Sequence, residues 1–195
     1  MKLYRLLERT GFRLWAARLY QVELVGANAI PVSGPVILVA NHESLFDPWI
    51  LALATRRPVR YMAKAELWRH RLVGRAMESF GAFPIQRGAG DTAAISRAAQ
   101  LLGDGQVLGI FPQGTAKRLA QRPFHRGAAR LALSTGAPIV PVSLTGTRGI
   151  PRPWRRPRAR VSVGAPIRVQ QARPTVTASK NLTAQIEERI NEAAR

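Results

Sequence analysis

Short runs of consecutive apolar, β-branched residues recur along the chain at Pro35–Ala40, Val59–Met62, Ala82–Ile85, Val107–Phe111, Ile139–Leu144 and Arg160–Val163, with a last short one at Ile167–Val169. Runs this short, bounded by Gly, Pro and polar residues, read as strands buried on both faces rather than as alternating surface strands. Between them the spacing changes to three or four residues. Trp49–Thr55, Arg71–Ser79, Thr92–Leu102 and Arg126–Ser134 are Ala-, Leu- and Arg-rich helical segments, and Ala178–Ala194 closes the chain as a polar amphipathic helix. The alternation predicts an α/β fold: a single layered domain with a mostly buried mixed sheet flanked by helices, whose chemistry sits in loops at strand ends.

The first 22 residues follow a different pattern. Leu3, Leu6, Leu7, Leu14, Trp15 and Leu19 fall at helical spacing, with Lys2, Arg5, Arg9, Arg13 and Arg18 between them. Broken only around Gly11, this reads as a basic amphipathic helix, and Tyr4, Phe12, Trp15 and Tyr20 suit one lying in a membrane interface; packing of the same stripe on the domain core is the other reading. The expected organisation is therefore a docking helix over residues 1–22, an α/β domain over 23–175, and a C-terminal helix over 176–195 packed on that domain. No segment reads as a bilayer span, because Pro31, Pro35, Gly26 and Gly34 break the longest uncharged stretch. Nor do the opening residues form a signal peptide, since arginines interrupt any apolar core. The expected location is peripheral, on the cytoplasmic side of the cell membrane.

Charge sharpens this picture. Thirty Lys and Arg against 11 Asp and Glu give a net charge of +19, so an anionic partner is expected. From Gly105 to Ile186 there is no carboxylate, and the densest basic stretch, Arg148–Arg160, carries Pro151, Pro153 and Pro157. Those prolines oppose regular structure; the segment reads either as a solvated loop or as an anionic-lipid or phosphate contact with Trp154 as anchor. No recognition-helix, RRM or zinc-finger pattern accompanies the charge, so nucleic acid is not the expected partner.

Two loops carry candidate chemistry. Asn41-His42-Glu43-Ser44-Leu45-Phe46-Asp47 follows the Val36–Ala40 strand, and its spacing lets Asp47 accept a hydrogen bond from one nitrogen of His42 while the other faces a substrate. A carboxylate so placed fixes the tautomer of a general base and stabilises its imidazolium. Capping of the following helix by Asp47, before Pro48, is the plainer alternative. Phe111-Pro112-Gln113-Gly114-Thr115 follows another strand and has backbone N–H groups and a hydroxyl to offer an anion, or is simply a turn. With no Cys, thiolate nucleophiles and disulfides are excluded, and neither His70 nor His125 has companions enough for a metal site.

Taken together, these segments resemble the glycerolipid acyltransferases, the lysophosphatidic acid acyltransferase family. Asn41-His42-x-Ser44-x-x-Asp47 resembles its first motif (HX4D), and Phe111-Pro-Gln-Gly-Thr115 its Phe-Pro-Glu-Gly-Thr motif. Lys64-Ala-Glu66-Leu67, Phe83-Pro-Ile-Gln-Arg87, Phe124-His125-Arg126-Gly127 and Ile139-Val-Pro141-Val142 resemble further motifs in the same order. The resemblance implies acyl transfer from acyl-CoA or an acyl carrier protein, as thioester co-substrate, to a hydroxyl of a lysophospholipid, with no cofactor. It gives His42 and Asp47 the catalytic roles. Arg87, Gln113, Gly114 and Thr115 are implied to hold the acceptor and its phosphate, with Asn41, Ser44, Lys64 and Arg126 in support. Two departures bear on the acceptor: Gln113 stands where Glu is usual, and Ala116-Lys117 where Arg-Ser often follows. Lysophosphatidic acid is the default acceptor; another lysolipid, an aminolipid or a glycolipid is the alternative, and a non-catalytic binder of anionic membranes or polymers lies outside the enzyme class.

Overall fold

The computed structural model describes residues 21–86, 92–114, 123–149 and 158–195. Seven strands, β1 (Glu23–Val25), β2 (Val36–Ala40), β3 (Val59–Lys64), β4 (Ala82–Ile85), β5 (Val107–Ile110), β6 (Ile139–Thr145) and β7 (Arg160–Val163), form one sheet in the order β1-β7-β6-β2-β5-β3-β4. All neighbours are parallel except β6 and β7, so the sheet is mixed. Among the described residues five α-helices accompany it: α1 (Asp47–Leu53), α2 (Arg71–Ser79), α3 (Thr92–Gly103), α4 (Gly127–Thr135) and α5 (Val176–Ala193). This is the layered α/β fold that the alternation of runs predicts.

The central strand explains why. Every side chain of β2 is fully buried, and its alternate residues feed two separate cores. Val36, Leu38 and Ala40 pack with α1 residues such as Ile50 and Leu51, whereas Ile37 and Val39 pack with Ala98, Leu131, Ile186 and Ile190 of α3, α4 and α5. A strand covered on both faces has no polar side, hence its unbroken apolar sequence.

Two expectations need correction. Ile167–Val169 is not a strand but a single antiparallel bridge between Ile167 and Ile139, because Gly164, Pro166 and exposed Arg168 leave nothing to extend a ladder. Conversely β1 escapes the hydrophobic pattern altogether. Its three residues are all exposed, and it exists only because Glu23 to Val25 pair with Arg160 to Ser162 far along the chain. The helix expected over residues 1–22 lies, but for its last two residues, outside the described residues.

Because β2, β3, β5 and β6 are mutually parallel, their C-terminal ends share one edge of the sheet. The loops after them, starting at Asn41, Ala65, Phe111 and Gly146, therefore converge on that edge, where ligands of open α/β sheets bind. A close approach fixes the middle of this arrangement. A Cβ on Gly109 of β5 would lie 2.4 Å from Cε1 of Tyr61 on β3, so only glycine lets the tyrosine ring lie across the strand. Tyr61 in turn donates its hydroxyl to the Pro48 carbonyl at 2.6 Å, tying the sheet to the first turn of α1.

Candidate active site

At the end of β2 the chain leaves the sheet without losing its pairing. The β2–β6 ladder stops at Ala40 and Val142, and the Asn41 side-chain amide continues it: its Nδ2 donates to the Leu144 carbonyl and its Oδ1 accepts from the Leu144 N–H, both at 2.7 Å. An amide side chain reproduces a peptide group's donor and acceptor, so Asn41 anchors the next residue, His42, in the rigid part of the molecule.

Asp47 organises the loop that follows. One carboxylate oxygen, Oδ2, lies 2.8 Å from Nδ1 of His42 and accepts the N–H groups of Glu43 at 2.6 Å and Ser44 at 2.8 Å. The capping alternative is thereby excluded. The N-cap position of α1 belongs to Phe46, whose side chain caps nothing, and the Asp47 carboxylate turns back toward the histidine loop. Asp47 is fully buried, and its second oxygen, Oδ1, has no hydrogen-bond partner among the described residues. Two backbone N–H groups and the imidazole nitrogen thus converge on one oxygen of a buried carboxyl group that faces the ring. Ser44 completes the turn: its Oγ accepts from the Phe46 N–H at 3.3 Å and its carbonyl from the Asp47 N–H at 3.1 Å.

The second loop holds His42 from the other side. The Phe111 ring stacks on the imidazole with centroids 4.4 Å apart and planes 25° from parallel, and it lies nearly parallel to Tyr61 at 6.3 Å. Gln113 Oε1 accepts the backbone N–H of His42 at 2.6 Å. Gly114 has φ +75°, a left-handed value that favours glycine, and its N–H closes a turn on the Phe111 carbonyl at 3.0 Å. That N–H is thus already donated, which reassigns part of the anion-binding potential seen in this loop: its glycine serves the turn.

With Nδ1 directed at Asp47, Nε2 is the imidazole nitrogen left for a substrate, and the His42 side chain keeps 13% of its surface exposed. Such an arrangement can serve as a positioned base: the carboxylate sets the tautomer, stacking sets the ring plane and an amide pins the main chain. Two features escape sequence reasoning. Phe111 as the stacking partner is signalled only by an aromatic immediately ahead of Pro-Gln-Gly. Arg148, whose Nε lies 3.5 Å from Glu43 Oε2, brings the loop after β6 to the same site.

The remaining sequence-derived residues divide. Lys64 ends β3 on the active edge, with its ammonium 2.8 Å from Glu66, and that contact holds the exposed Glu66 carboxyl below its ordinary range. Arg126 occupies the N-cap position of α4 without a side-chain cap. Arg87 and Thr115 lie outside the described residues. No group of three or more His, Cys, Asp or Glu among the described residues is arranged to hold a metal ion.

Known proteins give this geometry a context. A family model described as acyltransferase matches residues 21–145. A 1-acyl-sn-glycerol-3-phosphate acyltransferase of Bacillus subtilis is 26% identical over 88% of this chain and 85% of its own length. A lyso-ornithine lipid O-acyltransferase of Pseudomonas aeruginosa is 36% identical over 71% of this chain and 55% of its own. Of several other curated relatives the chain spans only 40 to 54%. In fold, the chain resembles the crystal structure of the 1-acyl-sn-glycerophosphate acyltransferase of Thermotoga maritima, with a TM-score of 0.74 at 23% identity over 97% of this chain and 77% of that one.

Proposed function

The chain belongs to the acyltransferase family, and on that premise we propose that it moves a fatty acyl group from acyl-CoA or acyl carrier protein to the hydroxyl of a lysophospholipid, with lysophosphatidic acid as first acceptor and phosphatidic acid as product. The observation that carries this reading is the His42–Asp47 pair at 2.8 Å, held between two loops at one sheet edge. Nε2 of His42 takes the proton of the acceptor hydroxyl as its oxygen attacks the thioester carbonyl. The tetrahedral adduct then collapses, the C–S bond breaks, and the departing thiolate receives that proton from the imidazolium. Asp47 stabilises the imidazolium between the two transfers. No acyl-enzyme is needed, which accords with a chain lacking Cys.

In this reading Arg87, as a bidentate fork, and Thr115 bind the acceptor phosphate, and Lys64 at the end of β3 adds charge. The enzyme works from the membrane surface, where acceptor and product reside; among the described residues no helix is long and apolar enough to cross a bilayer.

A second acceptor class is favoured by one specific observation, the 36% identity to a lyso-ornithine lipid O-acyltransferase. Gln113 does not decide between the two, because accepting the His42 N–H requires an oxygen and not a charge. The test is thiol release from a long-chain acyl-CoA in the presence of lysophosphatidic acid or lyso-ornithine lipid. Release dependent on lysophosphatidic acid supports the first reading, dependence on the aminolipid alone replaces it with the second, and no release with either acceptor or with an acyl carrier protein donor refutes both.

A further inference from the structure

Helix α2 and the 3-10 turn before it, Ala65–Arg69, expose more apolar surface than the core requires. Leu72 is 80% exposed, and Leu67 and Val73 are each 39% exposed. The helix docks through a different side. Gly74 is its one fully buried residue, set so closely on Trp68 that a Cβ would lie 2.9 Å from the indole; Met77 and Trp68 pack on the core, and Phe80, just past the helix, rests 4.9 Å from Trp49. Leu72 and Gly74, two residues apart, point in nearly opposite directions. The Leu72 side of the helix, shared by Arg75 and Ala76, is therefore left uncovered among the described residues.

Its rim is basic. Arg69, Arg71 and Arg75 are all exposed, and none has a carboxylate within ion-pair distance among the described residues. The nearby acids are engaged elsewhere, Glu66 with Lys64 and Glu78 with the Trp68 indole N–H. Charge also discriminates between occupants. The chain's own opening segment carries Lys2, Arg5, Arg9, Arg13 and Arg18 against Glu8, and a second copy brings +19, so both are repelled by an arginine-rimmed face. An anionic lipid surface is attracted by the same arginines while it accepts the leucines.

We propose that the exposed face formed by Leu67, Leu72 and Val73 with Arg69, Arg71 and Arg75 is a docking surface for an anionic phospholipid bilayer, and that it turns the His42 edge of the sheet toward the lipid. The orientation follows from topology: β3 is parallel to β5 and β5 to β2, so the turn after β3 and the start of α2 lie on the same edge as His42. The inference rests on the reading that the acceptor is a membrane lipid, and it gives that reading a direction of approach.

The absence of cysteine makes the test clean. In the full-length protein, Leu72→Cys carries a single environment-sensitive fluorophore, and Lys180→Cys on the exposed side of α5, across the sheet, is the control. Added vesicles of equimolar phosphatidylcholine and phosphatidylglycerol are expected to shift the label at position 72 to shorter wavelength and leave that at 180 unchanged. Leu72→Glu should weaken sedimentation with these vesicles about tenfold, the scale for withdrawing one leucine from apolar surroundings, and each Arg→Gln change on the rim about fivefold at low salt. No shift at position 72, equal shifts at both positions, or full vesicle binding by folded Leu72→Glu would overturn the proposal. Acyl transfer to a monomeric short-chain acceptor is measured alongside. If wild type shows none while the label still shifts, the docking surface stands and the acyl-transfer reading falls; if transfer persists without a shift, the reverse holds.

Discussion

Replacing Gln113 by alanine tests whether the second loop holds the first. The substitution removes the oxygen that accepts the His42 backbone N–H at 2.6 Å in a part-buried setting. A largely buried donor left without a partner costs about 1–3 kcal/mol. For a chain of 195 residues, each kcal/mol lowers Tm by about 2–4 °C, so thermal unfolding followed by circular dichroism should shift by roughly 2–12 °C. The kinetic effect is larger than this energy suggests. His42 keeps its contacts with Asp47 and Phe111, but a released main chain lets the imidazole drift, and a displacement of about 1 Å can cost about 100-fold in rate. Gln113→Glu separates geometry from charge: it retains an acceptor oxygen, so stability should fall by less than about 1 kcal/mol and kcat should stay within tenfold. The assay is acceptor-dependent thiol release with kcat and KM resolved. An unchanged Tm and kcat in Gln113→Ala would refute the bracing role, and a change confined to the acceptor KM would return Gln113 to the substrate-contacting role that the sequence suggests.

Other perturbations separate the remaining parts of the account. Asp47→Asn preserves shape but removes the charge that faces the imidazolium; an equivalent change in a Ser-His-Asp triad costs about 10⁴ in kcat, and a rate within tenfold of wild type would dismiss Asp47 as the orienting group. Gly109→Ala drives a methyl to within 2.4 Å of the Tyr61 ring, whose hydroxyl is held by Pro48. It should destabilise by about 1–3 kcal/mol in urea denaturation. In a Tyr61→Ala background most of that penalty should vanish, and strict additivity would mean that the two residues do not meet.

How much of this was legible in the sequence depends on whether a signal is local. Strands β2 to β7 each carry their own apolar run, and His42 with Asp47 sits within one turn of chain, so pattern and spacing suffice for both. Strand β1 has no such run: Glu23 pairs with Arg160, and nothing in three exposed residues encodes a partner so distant. The same holds for Gln113, whose partner is a backbone N–H 71 residues away, and for Asn41, whose amide reaches 103 residues to Leu144. Side chains that bond to main chain leave no residue-type signature at the other end. A stack such as His42 on Phe111 is visible as two aromatics but not as a contact until the parallel pairing of β2 and β5 brings the strand ends together. Nothing local in the helical spacing of α2 marks Leu72 as exposed, and only the packing of Gly74 on Trp68 reveals which side of the helix is turned away from the core.

The central claim is that His42 is the base for attack of a lipid hydroxyl on a thioester. It is tested most directly by comparing thiol release from a long-chain acyl-CoA, with and without lysophosphatidic acid, in wild type and His42→Ala. The account predicts acceptor-dependent release in wild type and a loss of about 10²–10⁴ in the variant, the range for removing a general base. Acceptor-dependent release by a folded His42→Ala protein at a rate within a few-fold of wild type would contradict it.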